Sequence, residues 1–366
     1  MKLFSCNACG HGLYFHNVEC TFCGHRLGFV PELLDLVAFN LTGDAEWQPV
    51  GNAADGVRYR PCANYTDHNT CNWMVPAGEA NPLCTACRLN RTIPDLTVPG
   101  NTRLWQRLQT DRNRLVYSLL RLNLPVQNRQ ESPDNGLAFD FLGEPDPRFR
   151  EDSSVMTGHR QGVITVDIAE ADDATRERVR QEMAEPYRTI LGHFRHESGH
   201  YYWDRLVRDT GSLGAFRERF GDERSDYGAA LERHYTAGPP PDWPQHFISA
   251  YASTHPWEDW AESWAHYLHI VDTLETAWQF GLRLKPRIEH EDRLDAQTIL
   301  DPYGHSDFQA LAQHWFPLTI ALNNLNQSMG QPDAYPFVLS PVVTGKLELV
   351  HDIIHGGTPS ARVDAP

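Results

Sequence analysis

The sequence predicts an α+β protein that is mostly helical around a small sheet, with metal-binding modules at its N-terminal end. Three observations lead to this prediction. All eight cysteines lie before residue 88, which sets the N-terminal region apart. Apolar residues recur at helical spacing in several stretches after residue 100. The clearest alternation of a strand lies at residues 162–168, GVITVDI.

The composition indicates a soluble, globular chain of 366 residues, long enough for two or three domains. Its formal net charge of −16 argues against binding to nucleic acid or to an anionic membrane. No apolar run approaches the length of a bilayer-spanning helix. The N-terminus has cysteine, glycine and histidine where a signal peptide has an apolar core. We therefore expect a cytoplasmic protein, in which cysteines bind metal more often than they form disulfides.

The first four cysteines form two C-x-x-C-G knuckles with ten residues between them, Cys6 with Cys9 and Cys20 with Cys23. Four thiolates complete a tetrahedral zinc site that has no open position, which is typical of a structural site. The spacing therefore predicts a zinc ribbon over residues 1–28. Nearby histidines are interpreted as bystanders because the coordination sphere is already full: His11, His16 and His25.

The second four cysteines predict another structural zinc site, in a module and connector that span residues 29–97. They are Cys62, Cys71, Cys84 and Cys87, and only the last pair has knuckle spacing. Two alternatives stay open: a set of buried free thiols, and a site in which His68 replaces one thiolate. Residues 29–61 look like an irregular connector with a short helix at 31–39.

After residue 97 the chain alternates between helical and loop patterns. We expect an amphipathic helix over 104–122, a long loop over 126–157, the strand at 162–168 and an acidic helix over 172–185. The strand has two interpretations: an edge strand that pairs with substrate backbone, or an ordinary structural strand. Further on, the sequence predicts a helix that ends at Tyr235, a proline-rich loop over 238–244, and an apolar helix from Asp307 followed by a proline-bounded segment to Gly356.

The most informative stretch contains H-E-x-x-H, as His196, Glu197 and His200. On a helix the two histidines lie four residues apart, so both rings project from one face and can bind a single metal ion. Glu197 then points towards the open side of the metal, where it can take a proton from bound water. The alternative is a solvated helix with incidental histidines.

The surrounding residues favour a helix here. Glu185-Pro186 would begin it with proline in the first turn. Apolar residues follow at roughly helical spacing: Ile190, Phe194 and Trp203. Two glycines, Gly192 and Gly199, count against it because glycine lowers helix propensity.

A zinc ion held by two histidines needs a third protein ligand and a position for water. Pro256 is well placed to begin a helix from Trp257 onwards, which would carry candidate ligands on one face. We favour Glu258 as the ligand and expect Glu262 to hydrogen-bond the far nitrogen of a ligand histidine. The alternative, with Glu262 as the ligand, stays open because a shift in helix register changes which turn faces the metal.

These motifs resemble the gluzincin arrangement, in which H-E-x-x-H is followed by E-x-x-A-E on a later helix, here Glu258 to Glu262. More closely, the whole chain resembles a bacterial family of zinc-binding metallopeptidases with an N-terminal zinc ribbon. The segments that carry this resemblance cover most of the chain: CANYTDHNTCNW, CTACRLNRTIPDL, GHFRHESGHYYWDRL, FGDERSDYGAAL, SAYASTHPWEDWAESWAHYLHIVDTLETA and ALNNLNQSMGQPDAYPFVLSP.

The resemblance implies a zincin-like metallopeptidase domain over residues 98–356, followed by a tail over 357–366. Together with the cysteine spacings, it leads us to expect one catalytic and two structural zinc ions, a peptide or protein as substrate, and a surface on the ribbon for a protein partner. The second motif is also similar to that of anthrax lethal factor, in which a tyrosine precedes the ligand glutamate by seven residues. By that resemblance Tyr251 would donate its hydroxyl to the oxyanion of the tetrahedral intermediate.

Two other functions remain as alternatives. One is a catalytically silent zinc-ribbon protein with a binding or regulatory role, although a silent zinc site has no need of a base such as Glu197. The other is a metal-dependent amidase that acts on a non-protein substrate with the same machinery. Manganese or iron could take the place of zinc, although two histidines and a carboxylate suit zinc.

Overall fold

A computed structural model describes residues 1–42, 46–51, 56–143, 157–182, 188–287, 294–297, 301–304 and 307–356. The chain forms two compact units. The first comprises the described residues between 2 and 194, and the second comprises those from 195 to 356 together with Met1. The predicted helix start at Glu185-Pro186 and the predicted tail at 357–366 lie outside the described residues.

The first unit begins with two antiparallel sheets. The small one pairs β1 (Phe4–Ser5) with β2 (Gly12–Leu13). The larger one has five strands paired in chain order, with the short helix α1 (Ala63–Thr66) before its last strand. Its strands are β3 (Arg26–Val30), β4 (Asp35–Leu41), β5 (Trp47–Pro49), β6 (Tyr59–Pro61) and β7 (Met74–Pro76).

The predicted helix at 31–39 and the predicted irregular connector are therefore wrong. Residues 31–34 form a turn that ends at Leu34 with a φ of 48°, and β4 follows directly. The consecutive apolar residues of β4 are buried on both faces, because the sheet packs on one side against the ribbon and encloses its own core on the other. A short run that is apolar on both faces does not distinguish a strand from a helix.

An aromatic cluster joins the N-terminal ribbon to the rest of the first unit. Phe15 packs against Phe29 of β3, with ring centroids 5.1 Å apart, and Phe29 packs against Trp73 at 4.5 Å. Tyr117 completes the cluster, 5.7 Å from Phe15. All four side chains are buried, so the ribbon shares one core with the sheet.

The remainder of the first unit holds a four-stranded mixed sheet. In chain order its elements are β8 (Asn90–Thr92), α2 (Asn101–Arg121), β9 (Ala138–Leu142), β10 (Gly158–Arg160), β11 (Val163–Asp167) and α3 (Asp173–Glu182). The predicted amphipathic helix, the strand at 162–168 and the acidic helix are confirmed. The predicted loop over 126–157 is wrong in part because it contains β9.

The position of β11 excludes its interpretation as an edge strand. The strand order is β10-β11-β9-β8, so β11 pairs antiparallel with β10 on one side and parallel with β9 on the other. Both of its edges are hydrogen-bonded within the sheet. A strand paired on both sides has no free edge for substrate backbone, and the structural interpretation of this strand is the correct one.

The second unit is predominantly helical. Helix α4 (Ile190–Trp203) begins in the first unit and ends in the second, where a π-helical turn at Asp204–Arg208 follows it. The unit then contains α5 (Leu213–Phe220), α6 (Tyr227–Ala237), α7 (Trp243–His246), α8 (Pro256–Gln279), the hairpin β12 (Arg283–Leu284) and β13 (Ala296–Gln297), α9 (Phe308–Ser328) and α10 (Pro341–Ile354).

The predicted helices that end near Tyr235, begin at Pro256 and begin at Asp307 are confirmed. The C-terminal segment differs from the prediction because α10 follows Ser340, whose side chain caps the helix by accepting from the Val343 amide. Within the described residues, no helix is both long and apolar enough to cross a membrane.

Candidate metal centre

The close packing of α4 against α8 brings the two sequence motifs together. Trp260 donates its indole N–H to the carbonyl of Gly199 at 2.9 Å, and Trp264 donates to the Ser198 hydroxyl at 3.1 Å. A Cβ on Gly199 would lie 2.9 Å from Cα of Ala261, closer than real Cβ atoms come. The two helices therefore meet backbone to backbone within the H-E-x-x-H motif, and glycine is needed at this position.

Three buried donor atoms converge where these helices meet. Oε2 of Glu258 lies 3.1 Å from Nε2 of His196 and 3.4 Å from Nε2 of His200. All three residues are buried, and Glu258 is only 1% exposed. Their ligand atoms lie within 4.8 Å of one another, so the group could hold a metal ion.

Glu262 lies behind this group. Its Oε1 is 2.7 Å from Nδ1 of His196, and its Oε2 accepts from the Ser249 hydroxyl at 2.6 Å. Burial raises the pKa of Glu262, but the bond from His196 outweighs it and brings the pKa down to about 2. A carboxylate at this position holds the proton of His196 on Nδ1, so Nε2 presents its lone pair to the centre.

The donor set fits a zinc ion. When His196 is neutral, the lone pair of its Nε2 faces a carboxylate oxygen of Glu258, and two such acceptors need a cation between them. Without a metal, burial opposes protonation of His196, yet the neighbouring carboxylates raise its pKa well above the usual value. Two neutral imidazoles and one carboxylate are the ligand set of many zinc sites that keep a position for water.

The two predicted catalytic side chains are both near this centre. Glu197 is buried, and its charge adds to the effect of burial and of Glu258 in raising the pKa of Tyr251. Tyr251 begins a short 3₁₀ turn, Tyr251–Ser253, and its ring centroid lies 5.9 Å from that of His196. Its hydroxyl therefore stays protonated at neutral pH and can act as a donor.

Two contacts of the centre were not anticipated from the sequence. Tyr227, at the start of α6, donates its hydroxyl to Oε1 of Glu258 at 2.7 Å. The ring of Trp257 packs against that of His200, with centroids 3.9 Å apart. Tyr227 could have been noticed only through its place in FGDERSDYGAAL, one of the segments that carry the family resemblance. Trp257 could have been noticed because it directly precedes Glu258 in the chain.

Two further polar residues of α8, Asp259 and His266, contact groups outside the three-ligand cluster. Asp259 pairs with Lys346 of α10, with 2.5 Å between Oδ2 and Nζ. His266 is buried, and its Nδ1 lies 2.7 Å from the hydroxyl of Tyr335. The hydroxyl of Tyr335 is therefore hydrogen-bonded to His266, which lies two helical turns after Glu258.

The first cysteine cluster lies at the tip of the N-terminal ribbon. Cys6 and Cys23 have Sγ atoms 3.7 Å apart, and Cys9 and Cys20 are at the same separation. The four could hold a metal ion. Nδ1 of His25 lies 3.3 Å from Sγ of Cys23, so this histidine contacts the cluster, which its interpretation as a bystander does not anticipate.

The second cluster is fully buried and brings together all four of its cysteines, Cys62, Cys71, Cys84 and Cys87. Helix α2 directs donors at the sulfurs. Arg112 and Gln109 lie 3.5 Å and 3.6 Å from Sγ of Cys87. Hydrogen bonds from the other thiols hold the pKa of Cys87 well below its usual value, which favours the thiolate form that binds metal. His68, the alternative ligand, is not part of this four-cysteine group, and its ring packs against Trp105.

The comparisons with known proteins agree with this arrangement. The model of the putative zinc-binding metallo-peptidase family matches residues 101–353, and that of a zinc-ribbon domain matches residues 3–98. Proteins of Mycobacterium bovis and Mycobacterium tuberculosis, each described as an uncharacterized protein, are 41% identical over 98% of this chain and 97% of their own length. No solved structure matches this chain. The chain therefore belongs to this zinc-binding metallo-peptidase family and carries a zinc-ribbon domain at its N-terminal end.

Proposed function

We propose that the protein is a zinc-dependent peptidase whose catalytic ion is held by His196, His200 and Glu258. The observation that carries the proposal is the convergence of two Nε2 atoms and one carboxylate oxygen beside Glu197, in a buried site. Glu258 serves as a ligand and Glu262 orients His196, whereas a purely structural zinc site has no use for Glu197 as a base. Membership of the metallo-peptidase family supports a peptide as the substrate.

A zinc ion in this site would lower the pKa of a water molecule to about 7 and polarise a substrate carbonyl. Glu197 accepts the proton of the attacking water and passes it to the leaving amine. Tyr251 donates its hydroxyl to the carbonyl oxygen as negative charge develops on it. Glu262 holds the tautomer of His196 throughout.

The two cysteine clusters complete the proposal as structural zinc sites. Each offers four thiolates, which fill a tetrahedral sphere and leave no position for water. In the second cluster Arg112 offsets the negative charge of the thiolates, since its guanidinium is buried against Cys87. These sites would stabilise the first unit, in which several of the described strands have only two or three residues.

Replacement of the proposed base tests the catalytic role directly. We expect Glu197→Gln to retain its zinc while hydrolysis of a peptide library falls by about 10²- to 10⁴-fold, because amide nitrogen cannot accept the proton. Cleavage products are identified by mass spectrometry, and zinc is counted in the same samples. Glu218→Gln is the matched control, since Glu218 is exposed on α5. Equal cleavage by wild type and Glu197→Gln would refute the proposed mechanism.

A further inference from the structure

The two oxygens of Glu258 have different partners. Oε2 faces the Nε2 atoms of His196 and His200, at 3.1 Å and 3.4 Å. Oε1 accepts a hydrogen bond from the Tyr227 hydroxyl at 2.7 Å. A carboxylate in this state offers one oxygen to the metal and has the other occupied by a donor.

Tyr227 is held in this position by the start of its helix and by contacts of its ring with two aromatic rings. Asp226 caps helix α6 by accepting from the amide of Ala229, which sets the start of the helix directly before Tyr227. The ring packs edge-on against His255 at 5.3 Å and against Trp257 at 6.1 Å. Nε2 of His255 lies 3.1 Å from the carbonyl of Ser225, which ties the residues before α6 to the start of α8.

We propose that Tyr227 is a positioning residue of the metal centre, which holds Oε1 of Glu258 so that the carboxylate binds the metal through Oε2 alone. The consequence lies in the number of ligands. A carboxylate that bound through both oxygens would occupy the position that a catalytic site keeps for water. Tyr227 would orient the ligand Glu258 without itself binding the metal, as Glu262 orients the ligand His196. This inference rests on the ligands named under the proposed function.

The test uses the full chain and two separate readouts. The first is the zinc affinity of the site that the double variant His196→Ala/His200→Ala loses, measured by competition with a chelator. We expect Tyr227→Phe to weaken this affinity by about 10- to 100-fold, the range for loss of a partner behind a metal ligand. The second readout is the visible spectrum after cobalt replaces zinc at that site alone. Cobalt absorbs more weakly as its coordination number rises, so a Glu258 carboxylate that binds through both oxygens should weaken the absorption.

Two control variants separate this role from others. Tyr251→Phe removes a hydroxyl that contacts Tyr227 but not Glu258 and that we assign to the substrate. It should lower peptide hydrolysis and weaken zinc binding less than Tyr227→Phe does. Tyr14→Phe removes a hydroxyl from a ring that is 75% exposed on the ribbon, and should change neither. Circular dichroism checks that each variant is folded.

The outcomes are distinct. Weaker zinc binding and weaker cobalt absorption in Tyr227→Phe, with a smaller change in Tyr251→Phe and none in Tyr14→Phe, support the inference. Wild-type affinity and an unchanged spectrum in Tyr227→Phe would overturn it and leave the proposed function standing. A zinc content that does not fall in His196→Ala/His200→Ala would overturn both, because the ligand set itself would then be wrong.

Discussion

At the scale of single residues, the centre depends on three carboxylates of one helix, each with its own partners; Glu258 and Asp259 are buried and Glu262 is partly exposed. Glu258 faces the ligand histidines and Tyr227, Glu262 contacts His196 and Ser249, and Asp259 pairs with Lys346. A buried carboxylate without such partners costs several kcal/mol. These partners therefore decide which carboxylate turns towards the two histidines and which turns away.

The Asp259–Lys346 pair gives a prediction about stability. Both side chains are buried, and Lys346 also donates to the carbonyl of His246 at 2.7 Å. We expect Lys346→Met to lower the free energy of unfolding by about 3–5 kcal/mol, because it leaves the Asp259 carboxylate buried without a cation. Urea unfolding followed by tryptophan fluorescence measures the change.

Two comparisons make this prediction specific. The double variant Lys346→Met/Asp259→Asn should recover part of the loss, since the uncompensated charge is gone. Arg224→Met, which removes an exposed ion pair with Asp222, should cost at most about 1 kcal/mol. If Lys346→Met were no more costly than Arg224→Met, the buried pair would not hold α8 in place.

At the scale of elements, α4 and α8 form the framework of the site. Helix α8 has 24 residues and carries Glu258, the proposed third ligand, in its first turn, where Pro256 fits the first helical position and His255 caps the N-terminus. Two tryptophans of α8 donate to the H-E-x-x-H turn of α4. The spacing of ligands between the helices therefore depends on how closely their backbones approach.

Gly199 sets that approach, and its replacement tests the framework. We expect Gly199→Ala to cost about 1–3 kcal/mol in the free energy of unfolding, because the new methyl group meets the backbone of Ala261 and pushes the helices apart. Zinc affinity should fall with it, since Glu258 moves away from the two histidines. Thermal unfolding with and without added zinc measures both effects.

A second glycine provides the matched control. Gly214 lies in α5 with no atom within 4 Å of the position of a Cβ. Gly214→Ala should raise stability by about 0.4–1 kcal/mol through reduced freedom of the unfolded chain. A neutral or stabilising effect of Gly199→Ala as well would show that the two helices tolerate a wider separation than the structure implies.

At the scale of the whole molecule, the parts that could be predicted are those encoded in local spacing. Helices α2, α8 and α9 follow from apolar residues that recur over many turns, and the strand β11 follows from its β-branched alternation. The placement of His196 and His200 on one helical face needs only the four-residue interval between them.

The parts that could not be predicted depend on long-range contacts. The last three strands of the five-stranded sheet have only three residues each, and the prolines at their ends resemble loop signals, as at Pro49 and Pro61. Tyr227 lies 31 residues before Glu258, in a segment of mostly exposed residues, so no local pattern connects the two. The glycine at position 199 looked unfavourable for a helix, whereas tertiary packing requires it.

The central claim is that one metal ion is bound by the H-E-x-x-H helix in addition to those of the cysteine clusters. Metal stoichiometry, measured by mass spectrometry on the wild-type chain and on His196→Ala/His200→Ala, tests it most directly. Three groups of ligands among the described residues predict three zinc ions per chain, falling to two in the double variant. An equal zinc content in both proteins would contradict the claim, because the helix would then bind no metal.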